Sequence, residues 1–138
     1  MSFLLDTNVV SEMRNPHGNP NVRAWVGSVR GSDLFLSVLV LGEIRQGIER
    51  LRPHGPDQAA VFESWLRTLR GDYADRLIPI TAEIAEEWGR LNVPKLLPAV
   101  DGLMAATAKV MRLTLVTRNT ADVAGAGVDL LNPFEPME

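Results

Sequence analysis

The sequence has no cysteine, only two histidines, and only two lysines, Lys95 and Lys109. Lack of cysteine excludes a disulfide framework, a thiolate zinc ribbon and thiol nucleophile chemistry, and it fits a reducing compartment. His17 and His54 fall in Pro/Gly segments with no ligand at useful spacing, so neither a histidine zinc site nor a histidine-activated hydroxyl at Thr7 or Ser11 is expected. There is no basic, apolar leader and no apolar run near the roughly 18 residues of a membrane span. The reading is a soluble cytoplasmic protein without membrane association. An excess of positive charge is also missing, since 17 acidic residues face 14 basic ones for a net charge of -3. That balance does not by itself point to nucleic acid.

What is present is a chain of 138 residues, 46% hydrophobic and 22% charged, enough for one domain over 1–138 with a core that needs no staple. Short apolar runs alternate with helical patterns. Strands are expected at Phe3–Leu5, Leu34–Leu36, Leu77–Ile80, Leu113–Thr117 and Val128–Leu131. Helices fit a brief segment around Val9–Met13, then Val22, Trp25, Val26 and Val29 at i, i+3, i+4, i+7, and Leu41, Ile44, Ile48 and Leu51. Further stripes are Phe62, Trp65, Leu66 and Leu69; Ile84, Ala85, Trp88 and Leu91, capped by Thr81; and Val100, Met104, Thr107, Ala108 and Met111, with Pro98 in the first turn. The alternation predicts an α/β fold, a Rossmann-like α/β/α sandwich around a mostly parallel sheet of four to five strands.

In such a sheet, ligands bind at the edge where the strands' carboxyl ends emerge. Asp6 follows the first strand and Asp122 follows the fourth. Asp101 opens a helix that precedes a parallel strand, so it starts from the same pole. Glu43 lies inside the helix after the second strand; at about 100° per residue it falls about 60° outside the Val40 edge of the apolar arc. It is a shoulder residue, with Gly47 leaving room beside it. Four carboxylates brought together repel one another and must be offset by protons, basic side chains or a cation. Neither lysine stands beside them in the sequence. A hard divalent ion, Mg²⁺ or Mn²⁺, takes carboxylate and water oxygens and needs no His or Cys. One or two such ions can activate water and stabilise the leaving oxygen in phosphodiester hydrolysis.

The segments Leu4-Leu5-Asp6-Thr7-Asn8-Val9-Val10-Ser11-Glu12, Glu43-Ile44-Arg45-Gln46-Gly47, Pro98-Ala99-Val100-Asp101 and Thr117-Arg118-Asn119-Thr120-Ala121-Asp122 together resemble PIN-domain ribonucleases. The ending Leu130-Leu131-Asn132-Pro133-Phe134 is similar to the VapC/FitB-like toxins of prokaryotic toxin–antitoxin pairs. The resemblance implies the sandwich fold, Mg²⁺- or Mn²⁺-dependent endonucleolytic cleavage of RNA, with tRNA or rRNA as common targets, and homodimerisation. It also implies a cognate VapB-like antitoxin, through which operator DNA is bound only indirectly. Asp6, Glu43, Asp101 and Asp122 match the acidic quartet; Thr7, Asn8, Thr117 and Asn119 match the supporting polar positions. Asn119 stands where some PIN proteins carry a further acid.

Each residue also has a plainer role. Asp6 suits a turn or N-cap, Glu43 a solvated helix face, Asp101 a helix first turn and Asp122 a loop. Trp25, Trp65 and Trp88 read as core or dimer packing rather than base-stacking platforms, Met104 and Met111 as core, and Arg45, Arg50 and Arg52 as a solvated face. An Asp-nucleophile phosphatase would want a second acid where Asn8 stands. A receiver-type signalling domain would want a lysine where Thr117-Arg118 stands, and a catalytically silent RNA- or partner-binding scaffold would not need the quartet.

Overall fold

A computed structural model describes residues 1–137. Five strands, β1 (Phe3–Leu5), β2 (Leu34–Ser37), β3 (Leu77–Ile78), β4 (Thr114–Val116) and β5 (Leu130–Leu131), form one sheet in the order β3-β2-β1-β4-β5. Every pairing is parallel, with Phe3 opposite Leu34 on one side and Thr114 on the other. Central β1 is buried at all three positions. An unbroken apolar run is what a strand covered on both faces requires.

Six helices cover the sheet: α1 (Thr7–Arg14), α2 (Pro20–Gly27), α3 (Val38–Leu51), α4 (Pro56–Asp72), α5 (Ala82–Leu91) and α6 (Ala99–Met111). Right-handed crossovers place α1 to α4 on one face and α5 and α6 on the other, because the strand order runs outward from β1 to β3 and then returns past β1 to β4. The crevice between the carboxyl ends of β1 and β4 is therefore the switch point of the topology, where ligands of such sheets bind. Val9, Val22, Val40 and Ile48 seal one face; Met104, Ala105, Ala106 and Ala108 seal the other. Gly102 lets α6 approach α5 closely, since a Cβ there would sit 3.2 Å from Cδ1 and Nε1 of Trp88. No described helix is long and apolar enough to cross a membrane.

The departures from sequence expectation lie at the element ends. The strand expected at Leu77–Ile80 stops at Ile78, because β3 is an edge and Pro79 has no N–H to continue the ladder. Val128–Leu131 shortens to Leu130–Leu131 and Leu113–Thr117 to Thr114–Val116. Helix α2 ends at Gly27, so Val29 reaches the core from the following turn. Pro98 is the residue before α6 rather than part of its first turn. Met111 is not core: it is 46% exposed, the last residue of α6, where the chain turns through Arg112 in the left-handed conformation (φ 57°). Met104 is buried as expected, and Trp25 packs edge-on against Phe3 with ring centroids 5.1 Å apart.

Candidate functional site

The site is built outward from Asp6, the residue between β1 and α1. Its N–H donates to the Val116 carbonyl at 2.9 Å, extending the β1–β4 ladder, while its carbonyl accepts from the N–H groups of Val9 and Val10. The side chain caps α1: Oδ1 accepts from the Thr7 N–H at 2.7 Å. Oδ2 accepts from the Thr117 hydroxyl at 2.7 Å, and the Asn8 amide approaches it at 3.5 Å. Asp6 is only 6% exposed. The capping role and a position at the carboxyl pole thus coincide in one residue, and the helix starts two residues earlier than the apolar pattern indicated.

Two threonines serve as hydroxyl props for two carboxylates. The Thr7 hydroxyl donates to Glu43 Oε1 at 2.6 Å, tying α1 to α3. The Thr117 hydroxyl, buried at the end of β4, donates to Asp6 and accepts from the Asn119 N–H at 3.0 Å. Asn8 reaches back to accept from the Arg118 N–H at 3.4 Å. Helix α3 is aimed by Ser37, fully buried, whose side chain caps it by accepting from the Leu39 N–H at 3.1 Å. Ser37 is not among the caps expected above, although a serine just before an apolar helical stripe is a start signal.

Asp101 lies in the first turn of α6 at the same pole. Burial pushes its carboxyl above the ordinary carboxylate range, and the negative charges of Asp6, Asp122 and Glu43 push it further. Three acids of the expected quartet, Asp6, Asp122 and Glu43, therefore act on the fourth, Asp101. They do not share a single cavity. Asp6 and Asp101 line one crevice with Thr117 and Asn119; Glu43 borders an adjoining apolar groove with Thr7 and Ser11; exposed Asp122 borders a third, beside the segment 92–98.

The donor chemistry suits a hard divalent ion: carboxylate and amide oxygens, no cysteine thiolate, and an acid whose ionised form is destabilised by burial and by its neighbours. Among the described residues no three His, Asp or Glu side chains converge closely enough to grip one ion by themselves. That matches Mg²⁺, which ordinarily keeps several waters and uses one or two carboxylates together with substrate oxygens. His17 and His54 are exposed and distant in role from this pole. Arg45 and Arg52 pair with Glu49 and Glu63 across α3 and α4, the solvated face expected of them.

Order, topology and site define a class. The PIN domain family matches residues 3–124, and the chain belongs to that family. It is 33% identical over 137 residues to Toxin FitB of Neisseria gonorrhoeae, covering 96% of this chain and 98% of that protein. It is 30% identical to VapC ribonuclease Y4jK of Sinorhizobium fredii, over 97% of this chain and 99% of the relative. Among solved structures, FitAB bound to an IR36 DNA fragment superposes with a TM-score of 0.88 at 30% identity, covering 99% of this chain and 98% of that one.

Proposed function

We propose that this chain, a single PIN domain over 1–138, is the metal-dependent endoribonuclease toxin of a toxin–antitoxin pair. It cuts phosphodiester bonds in RNA, with tRNA or rRNA as the target class. One observation carries the reading: at the switch point of a parallel sheet the partly buried Asp101 carboxyl is raised above its ordinary range, first by burial and then by three further carboxylates. Charge so arranged destabilises the chain unless a cation offsets it. The relatives named toxin and VapC ribonuclease support the biological setting.

Asp6, Glu43, Asp101 and Asp122 would hold one or two Mg²⁺ or Mn²⁺ ions. When bound, the ion supplies charge neutralisation and a nucleophile for in-line hydrolysis. Asp6 is fixed by its cap and by Thr117, so it contributes a pre-set ligand. Glu43 is held by Thr7, leaving Oε2 free of that bond. Asn8 and Asn119 orient the β4 turn through Arg118 and Thr117. In the cytoplasm of its host the toxin would pair as a homodimer and be restrained by a cognate VapB-like antitoxin, through which operator DNA is reached.

The test is incubation of purified, antitoxin-free protein with total RNA, with and without Mg²⁺ or Mn²⁺, followed by mapping of the cut ends. Wild type cuts at defined sites only with metal, while Asp6→Asn and Asp101→Asn proteins that fold normally do not. Equal Mn²⁺-dependent cutting by both variants removes the assignment. Growth arrest by wild type but not by the quadruple mutant, relieved by the antitoxin, separates the toxin from a silent scaffold. Asn8 and Thr117-Arg118, standing where a second acid and a lysine would be needed, disfavour the phosphatase and receiver alternatives.

A further inference from the structure

The segment joining α5 to α6, residues 92–98, carries two of the most exposed large apolar side chains of the molecule: Val93 is 74% and Leu96 77% exposed. Between them stands Lys95, exposed and in no ion pair among the described residues, whereas the other lysine, Lys109, is engaged by Glu87. The loop is not slack. The Leu97 N–H donates to the Asn92 side chain at 3.0 Å, bridging it end to end, and the Gly102 N–H donates to the Pro98 carbonyl at 2.8 Å, joining it to the turn that carries Asp101. It forms one wall of a groove of about 320 Å³, whose other lining is the small-residue stretch Ala121, Ala124, Gly125 and Ala126 together with Asp122.

We infer that this groove seats the single-stranded RNA flanking the scissile phosphate, with Lys95 on a backbone phosphate, Val93 in the groove wall against a base, and Leu96, exposed on the same loop outside the groove lining, against a neighbouring base. The inference rests on the ribonuclease reading and deepens it by assigning substrate-binding residues. Three features favour RNA. A lone unpaired cation in a groove bordered by Asp122, one acid of the proposed site, matches a polyanion approaching that site. Small side chains opposite the loop leave room for a flat base, and unstacked bases are how RNA sequence is ordinarily read. The Asn92 bridge pre-orders the loop, lowering the ordering cost of binding. Two exposed apolar side chains around a charge are also far less than the roughly 800 Å² per partner of a stable protein interface.

The experiment uses the full chain and a 5′-labelled RNA oligonucleotide spanning a site that the wild type cuts in total RNA. Lys95→Ala raises KM roughly five- to tenfold with kcat retained, and lowers the slope of log affinity against log salt by about one. Val93→Ser with Leu96→Ser shifts the pattern of cut sites, while Met111→Ser, an exposed apolar residue at the other end of α6, does not. Binding is read separately by fluorescence anisotropy with poly(U) in an Asp101→Asn background, so absence of cleavage by the wild type counts against the ribonuclease reading and leaves the groove assignment to be decided by the Lys95 salt slope. Unchanged affinity and slope in Lys95→Ala overturn the inference even if the wild type cuts. So does a smaller hydrodynamic size for the Val93→Ser, Leu96→Ser protein, which would make the loop a contact between copies.

Discussion

At the scale of single residues, two carboxylates of the site are fixed by local devices, Asp6 by its cap and Thr117 and Glu43 by Thr7, and each device is open to test. Thr7→Val removes the one hydroxyl donor on Glu43 among the described residues while keeping shape, so cleavage or metal affinity should fall about 10- to 100-fold. Thr7→Ser should restore most of it, and a fold-wide loss seen by circular dichroism would count against a positioning role. Asp101 supplies a pH test. Its carboxyl is raised above the unfolded value, first by burial and then by Asp6, Asp122 and Glu43. Its contribution to stability is therefore present below the ordinary carboxylate pKa and is lost as pH rises through the raised folded value. Metal-free Asp101→Asn protein should melt above wild type at neutral pH, and the gap should close in acid. Mg²⁺ should raise the wild-type melting temperature more than that of the variant. Asp6, Asp101 and Asp122 were legible in the sequence because each follows a strand or opens a helix at one pole, and Glu43 from its place on the shoulder of the α3 apolar arc. The Thr7–Glu43 bond was not, since it joins positions 36 apart by no periodicity.

At the scale of elements, the sequence resolved where helices and strands lie but not where they stop, because stopping is decided by neighbours. Pro79 ends β3 because it has no N–H to give the ladder, and with β2 as its single neighbour the edge strand has no second partner to carry it on. Met111 continues an apolar stripe in sequence, yet α6 has run out beneath it. The turn there costs stability, since Arg112 occupies a left-handed conformation at φ 57°. Arg112→Gly relieves that strain against a greater loss of chain entropy, for a net gain of roughly 0.5–1 kcal/mol. Thermal denaturation should show a rise of a few degrees with activity unchanged. The opposite sign is expected at Ser37, whose cap aims α3 and hence Glu43: Ser37→Ala should cost about 1 kcal/mol or more, given its complete burial.

At the scale of the whole molecule, the net charge of -3 conceals a division of labour. Four of the 17 acids belong to the proposed cation site, and the remaining 13 face 14 basic residues, 12 of them arginines suited to bidentate phosphate contact. RNA affinity should consequently fall when divalent ions are chelated. It should fall less in an Asp6→Asn, Asp101→Asn double variant, as titration with and without EDTA would show. The parallel sheet accounts for why the site has a fixed shape at all. Asp6 is held at once by the β4 ladder through its N–H, by α1 through its carbonyl and by its own cap through its side chain. No local opening can free its amide without parting the central strands. Its hydrogen exchange should therefore proceed only through global unfolding, giving the centre of the site the same lifetime as the fold.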